Sequence, residues 1–332
     1  MWNYALSSLL CGATLCLYNG APNYPKESTL WDFAYQGRIN HFGHGAVYFQ
    51  YQADQGFSEI ETLDFQHFKT IGSTGSPMSA DTCRLLQHRF SNAQVISLSG
   101  GTDVCTAFVG GHPEMKVIPG EIQCKMLGAP VEVWNTFGDK ILNQAGELVL
   151  SKPFLSMPIG LWGDQDNRLM QASYYGMYPQ VWNHGDWATE NDTGSFIIHG
   201  RSDATLNRQG VRIGTAEIYN TLNTRENLKD SLVIHLTNDE QDSLLLFVVA
   251  QAEVDEKEIR AQLREQCSPR HVPDHIICVP DIPYTLSGKK VEIPIKRLLM
   301  GVSQSDALSK DSLRNPDSIK WFVDYAKTNP ST

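Results

Sequence analysis

The stretch "HGDWATENDTGSFIIHGRSDATLNRQGVRIGTAEIYN", residues 184–220, decides the fold, because the pattern of the chain changes inside it. Upstream, turn-forming residues are dense, and the short apolar runs 46–51, 95–98, 147–150 and 196–198 read as strands of a larger α/β unit. Downstream, 216–222 reads as a helix with Ile218 and Leu222 four apart, 231–236 as a strand, and 244–249 as a continuous apolar run. A second helix over 255–266, with Ile259 and Leu263 on one face, a strand over 276–279 and a closing helix over 293–300 follow. The expected class is therefore α/β. Residues 1–200 belong to a large domain, 201–300 form a small domain of their own, and 301–332 are a polar tail that only Trp321, Phe322 and Tyr325 could dock.

The same stretch carries the densest chemistry. Asp186 follows a glycine, and Arg201 follows a strand and a glycine, so each could present a charge at a strand end, where α/β proteins bind ligands. A carboxylate can accept both hydroxyls of a ribose, and an arginine can add donors to the same oxygens; a turn residue or a surface ion pair is the plainer reading of either. The string "GRSDATLNRQGVRI", 200–213, packs three arginines, two glycines and an aspartate between strand and helix, which suits a mobile junction as well as a site. Gly210 could let backbone approach a thin ligand closely, or simply close a hairpin.

Elsewhere, "STGSPMS" (73–79) and "SLSGGTDVC" (97–105) are small-residue loops rich in hydroxyls and backbone donors, suited to nucleotides or phosphates. "CSPRHVPDHI" (267–276) puts Arg270 and His271 beside Arg264, as solvated charges or as a patch for a phosphorylated carrier. In "IPYTLSGKKVEIPIKRLL" (282–299), Gly288 permits a chain reversal that holds Lys289 outward. It is not a Walker phosphate loop, whose pattern needs a glycine where Pro283 stands. A serine-hydrolase elbow and a dinucleotide glycine pattern are absent, and His41 and His44 lack a clear third metal ligand.

The 332 residues suffice for two cores, and 41% hydrophobic with 19% charged residues describes a soluble globular chain. A net charge of −10 argues against a nucleic-acid-binding body but leaves room for a local basic site. Seven cysteines, scattered without a Cys-x-x-C pair, indicate neither a disulfide framework nor zinc and fit a reducing cytoplasm. The apolar stretch 4–18 lacks a basic leader and is too short to span a bilayer, so it reads as buried core rather than a membrane segment.

Taken in order, "MWNYALSSLLCGATLCLYNG", "STGSP", "SGGTDVCTAF", "GEIQCKMLG", "HGDW", "GRSDATLNRQGVRIGTAEIYN", "RHVPDHI" and "PYTLSGKKVEIPIK" resemble the adenylate-forming acyl-CoA synthetases, and among them the acetoacetate-activating branch, over about residues 1–300. The resemblance implies the C-terminal part of the large adenylate-forming domain, followed by a small mobile α/β lid domain. It also implies activation of acetoacetate by ATP to an acyl-adenylate and transfer to coenzyme A (CoA), with Mg2+ as the metal. By the same resemblance Gly75, Ser76 and Pro77 line the adenine pocket, Asp186 and Arg201 hold the ribose, and Thr102 and Arg212 lie near the phosphates. Asp103 stands where the family has a glutamate beside magnesium, Asp203 at the hinge, Gly210 at the pantetheine tunnel and Arg264 near a phosphate of CoA. Lys289 looks like the adenylation lysine.

The family's phosphate loop, rich in Ser, Thr and Gly and followed by Pro-Lys, has no counterpart here, and Met1 falls inside a stretch of the family's large domain. The expectation is that an upstream half, with part of the acyl pocket, is missing and that the chain is inactive alone. Two other readings stay open: an acetyl- or other short-chain acyl-CoA synthetase, and a non-catalytic remnant that binds a nucleotide weakly or a partner polypeptide.

Overall fold

The computed structural model describes residues 2–202, 206–208, 211–238, 241–286 and 288–328; Asp203 and Gly210 lie outside them. Contacts separate two units, Met1–Ile198 and His199–Thr332, and the division falls inside the strand Phe196–Arg201.

In the first unit the strands His41–Gly45, Thr70–Thr74 and Gln94–Ser97 form a parallel sheet in that order. Parallel neighbours need crossovers, and the helices Ala46–Asp54 and Ala80–Arg89 supply them. Trp31, Phe49, Phe68, Ile71, Leu86 and Phe90 are fully buried in the core of this layer. Trp31 stacks on Phe90 at 5.1 Å, and its indole N–H donates to Gln52 Oε1 at 2.9 Å, so the one polar atom of the ring is satisfied. The run 46–51, expected as a strand, is instead the start of the Ala46–Asp54 helix. Ala46, Phe49 and Ala53 are buried at helical spacing, and a six-residue apolar run is too short to separate the two periods.

The unit continues with two antiparallel sheets. One holds Ser99–Gly101, Thr106–Gly110 and Cys124–Lys125; the other holds Val131–Trp134, Ala145–Leu150, Trp182–Glu190 and Phe196–Arg201. Val104, Phe108, Val133, Leu148, Trp182 and Phe196 form their core. The stretch 4–18 departs from expectation. Leu6, Leu9, Leu10 and Leu17 are exposed, Leu10 at 88%. Apolar composition leads to burial only where another element supplies the opposing surface.

The second unit is a sheet with helices on both faces. The strands Leu228–Asn238, Gln241–Ala250 and His275–Cys278 pair in that order, antiparallel and then parallel. Alternation along the strands sorts the core: Leu232, Ile234, Leu245 and Phe247 join Ile295, Leu298 and Phe322, while Val233, Leu244, Leu246 and Val248 join Ile218, Ile259 and Leu263. The run 244–249 is therefore apolar throughout because both of its faces are covered. Helices Thr215–Leu222 and Glu256–Gln266 serve one face, Glu292–Leu299 and Ile319–Thr328 the other. Among the described residues, no helix is long and apolar enough to cross a membrane.

Candidate functional site

In the first unit, Thr70–Thr74 and Gln94–Ser97 end at the same edge of their parallel sheet, with Ser73 opposite Ser97. Loops leaving the carboxyl ends of such strands are where this class of sheet binds ligands. The first loop turns at Gly75, φ +94°, a left-handed conformation that a side chain would strain. Gly75, Ser76 and Pro77 are exposed. Ser79 then caps the Ala80–Arg89 helix, its hydroxyl accepting from Thr82 N–H at 3.1 Å.

The second loop runs from Leu98, whose N–H donates to the Ser73 carbonyl at 3.0 Å, into Ser99–Gly101. Here Ser99 Oγ donates to Asp186 Oδ2 at 3.1 Å, joining residues 87 positions apart. His184 Nε2 lies 3.2 Å from the Gly100 carbonyl oxygen and 3.8 Å from Asp186 Oδ2. A Cβ on Gly101 would come within 2.7 Å of the His184 ring, so the glycine gives the imidazole its place. Asp186 is buried, whereas Thr102 and Asp103 are exposed just beyond. Tyr174, stacked on Trp182 at 3.6 Å, donates its hydroxyl to Asp103 Oδ2. It sits on the π-helical turn Gln171–Tyr175, a rare geometry found often at functional sites. Among the described residues no three His, Cys, Asp or Glu side chains gather to hold a metal.

In the second unit, Arg201 is exposed at the end of its strand, and Arg264 is exposed in the last turn of Glu256–Gln266. Arg212 lies on Val211–Ile213, its backbone paired with Asn207. Lys289 is exposed on a hairpin turn: Thr285 N–H donates to the Lys289 carbonyl at 2.9 Å, and Lys289 N–H donates to Thr285 Oγ1 at 3.0 Å. Gly288, φ +79°, makes the reversal possible.

The neighbouring Lys290 points inward. Its Nζ is 2.9 Å from Asp230 Oδ1, donates to the Ser231 carbonyl, and lies 4.0 Å from the Tyr219 ring centroid. Tyr219 donates to Glu292 Oε1 at 2.6 Å, and Tyr284 donates to Asp230 Oδ2 at 2.8 Å. Burial, reinforced by these carboxylates, pushes both phenols well above their ordinary pKa. Nearby, His271 Nε2 is 2.8 Å from Glu217 Oε2, and His199 Nδ1 is 3.8 Å from Glu217 Oε1. The His271 hydrogen bond holds the Glu217 carboxyl below its usual range, and burial lowers His199.

Sequence reasoning assigned no role to Ser99, Tyr174, His184, Lys290 or Asp230. Ser99 and His184 stand inside quoted motifs, but their partners lie 87 and 84 positions away, and Tyr174 lies 71 from Asp103. Only the fold creates those pairs.

No family model matches the chain. Over 329 residues it is 40% identical to acetoacetyl-coenzyme A synthetase of Rhizobium meliloti (strain 1021), covering 97% of the chain and 50% of that protein. Over 330 residues it is 37% identical to acetoacetyl-CoA synthetase of Xenopus tropicalis, covering 97% and 49%. Acetoacetyl-CoA synthetase from Streptomyces lividans superposes with a TM-score of 0.90 at 38% identity, over 99% of this chain and 51% of that one. The anthranilate CoA ligase AuaEII, solved with anthranoyl-AMP, shares the fold at 17% identity and a TM-score of 0.69, over 84% of this chain and 53% of that one. The chain spans about half the length of the curated relatives it matches. By sequence and by fold it is similar, over nearly its whole length, to about half the length of these acetoacetyl-CoA synthetases, with the architecture of the C-terminal region of adenylate-forming enzymes.

Proposed function

We propose that the chain is the part of an acetoacetate–CoA ligase that holds the nucleotide and delivers the adenylation lysine. Joining acetoacetate to the α-phosphate of ATP brings two anions together, and Lys289 placed between them relieves the repulsion as the new bond forms and pyrophosphate leaves. Gly75, Ser76 and Pro77 take the adenine, Asp186 and Arg201 the ribose hydroxyls, and Thr102 and Arg212 the phosphates. The lid then turns at Asp203, withdraws Lys289 and offers Gly210 and Arg264 to CoA, whose thiolate attacks the acyl-adenylate and expels AMP. Asp103 offers one exposed carboxylate, which suits magnesium, an ion that keeps most of its shell for water and substrate phosphates. Bound there, it would neutralise phosphate charge. Free thiols at the seven cysteines favour a reducing, cytoplasmic setting.

The observation that carries this proposal is the Ser99–Asp186 hydrogen bond, which fixes a buried carboxylate against the hydroxyl-rich 97–105 loop that leaves the carboxyl end of the parallel strand Gln94–Ser97. The test is acetoacetate-dependent exchange of labelled pyrophosphate into ATP, by this chain alone and by this chain joined to the amino-terminal half of the Rhizobium meliloti relative. The joined protein should exchange and the single chain should not. Exchange with acetate but not acetoacetate would move the substrate to the short-chain acids. A second reading, a non-catalytic polypeptide that binds a protein partner, is favoured by the nearly complete exposure of Leu155, Ile159 and Trp162. An exchange-inactive joined protein would favour it.

A further inference from the structure

The turn that presents Lys289 has a second edge, supplied by the segment that sequence marks as a polar tail. Thr285 and Leu313 form an antiparallel bridge, flanked by Leu286 N–H donating to the Ser312 carbonyl at 3.0 Å and Arg314 N–H donating to the Tyr284 carbonyl at 2.9 Å. Asn315 clamps the same strand from the side: its Oδ1 accepts from Tyr284 N–H at 2.9 Å, and its Nδ2 donates to the Ile282 carbonyl at 2.8 Å and to Asp281 Oδ2 at 2.5 Å. Leu313 is buried, and the Arg314 guanidinium lies 4.8 Å from the Tyr284 ring centroid. Tyr284 bridges to Lys290 across the hairpin and donates to Asp230, the carboxylate that also holds Lys290. Farther along, Trp321, Phe322 and Tyr325 pack on Phe247 and hold the segment against the sheet.

We propose that residues 312–315 are a positioning element for Lys289: they add a third strand to its hairpin and fix the one shape in which the lysine is aimed. They touch no substrate and act through the backbone of 284–289. The proposal rests on the reading of Lys289 as the adenylation lysine for its catalytic consequence, but not for the brace itself. A long flexible side chain is aimed only as well as its backbone is held, and a misplacement of ~1 Å can cost about 100-fold in rate.

Amide hydrogen exchange on the full chain decides the brace. Asn315→Ala removes three hydrogen bonds and should speed exchange over 284–290 about tenfold while leaving the Gln241–Ala250 strand protected. Asp281→Ala removes one of the three partners of Asn315 and leaves its bonds to Tyr284 and Ile282, so it should fall between that variant and the unaltered chain, which also covers the case in which the Asn315→Ala variant folds poorly. Unchanged exchange at the turn, or equal acceleration in the sheet, overturns the proposal. In the joined enzyme, Asn315→Ala should lower the adenylation kcat about tenfold, leave the acetoacetate KM in place, and retain thioester formation from supplied acetoacetyl-adenylate. If the turn loosens but adenylation holds while Lys289→Ala abolishes it, the segment does not position the lysine. If Lys289→Ala is itself silent, the role of Lys289 is refuted and the brace still stands on the exchange data.

Discussion

Lys289 and Lys290 carry the same charge one position apart, and their surroundings give them opposite tasks. Lys290 is tied to Asp230, Ser231 and Tyr219, whereas Lys289 reaches outward from its turn. Two unit charges ~4 Å apart at an effective dielectric of ~20 interact by about 4 kcal/mol. If most of that acts only in the transition state, Lys289→Ala in the joined enzyme should slow adenylation roughly a thousandfold and spare thioester formation from supplied adenylate. Lys290→Ala should instead lower the stability of the second unit by about 3 kcal/mol, read from its urea midpoint, because it strands a half-buried carboxylate. Equal loss in both half-reactions from Lys289→Ala would contradict this division. The His199–Glu217 contact makes a separate forecast. His199 binds its proton less readily folded than unfolded, so its contribution is present above the unfolded histidine pKa of about 6.5 and is lost as pH falls from there through the lower folded value. The lowered Glu217 carboxyl contributes above the carboxylate range and is lost only in stronger acid. Thermal melting of the second unit should therefore weaken in two steps on acidification, and His199→Gln should remove the first; a first step that survives would assign it to another group.

At the level of elements, the second unit was the more legible. Its strands and helices announce themselves by period: Leu232, Ile234 and Leu236 alternate, Ile259 and Leu263 lie four apart, and Asp255 caps its helix by accepting from Lys257 N–H at 2.8 Å. The first unit misled at 46–51 because a short, mostly apolar segment fits either period, and at 4–18 because burial depends on a surface the segment does not contain. Of the candidate site, Asp186 and Lys289 were visible from their glycines, but His184 and Tyr174 take their places through pairings that no local spacing encodes. The Ala80–Arg89 helix is the element that ties down the loop 75–79, which we propose takes the adenine. Ser79→Ala removes its cap and should cost about 1 kcal/mol, with a further loss of AMP affinity measurable by calorimetry as the loop gains freedom. An unchanged affinity would detach that loop from nucleotide binding.

For the whole molecule, separate cores in Met1–Ile198 and His199–Thr332 mean that the two units need not fail together. Limited proteolysis should leave a resistant fragment beginning near residue 200, recognised by mass spectrometry, and fragments confined to the first 198 residues should be shorter-lived. The exposed leucines of the Trp2–Leu10 helix, with Leu155, Ile159 and Trp162, should also make the isolated chain associate as its concentration rises. A monodisperse monomer in sedimentation at high concentration would argue otherwise. The docked C-terminal helix also leaves an optical trace. Six of the seven tryptophans precede His199, so Trp321 is the sole indole of the second unit. It lies nearly parallel to Tyr325 with centroids 5.1 Å apart and edge-on to Phe247 at 6.0 Å. In a proteolytic fragment that begins near residue 200, the near-ultraviolet circular dichroism would come largely from this one cluster, and its emission would shift to the red when the helix lifts away. Light absorbed by a single side chain would then report whether the segment beside Lys289 is seated, with no substrate and no label.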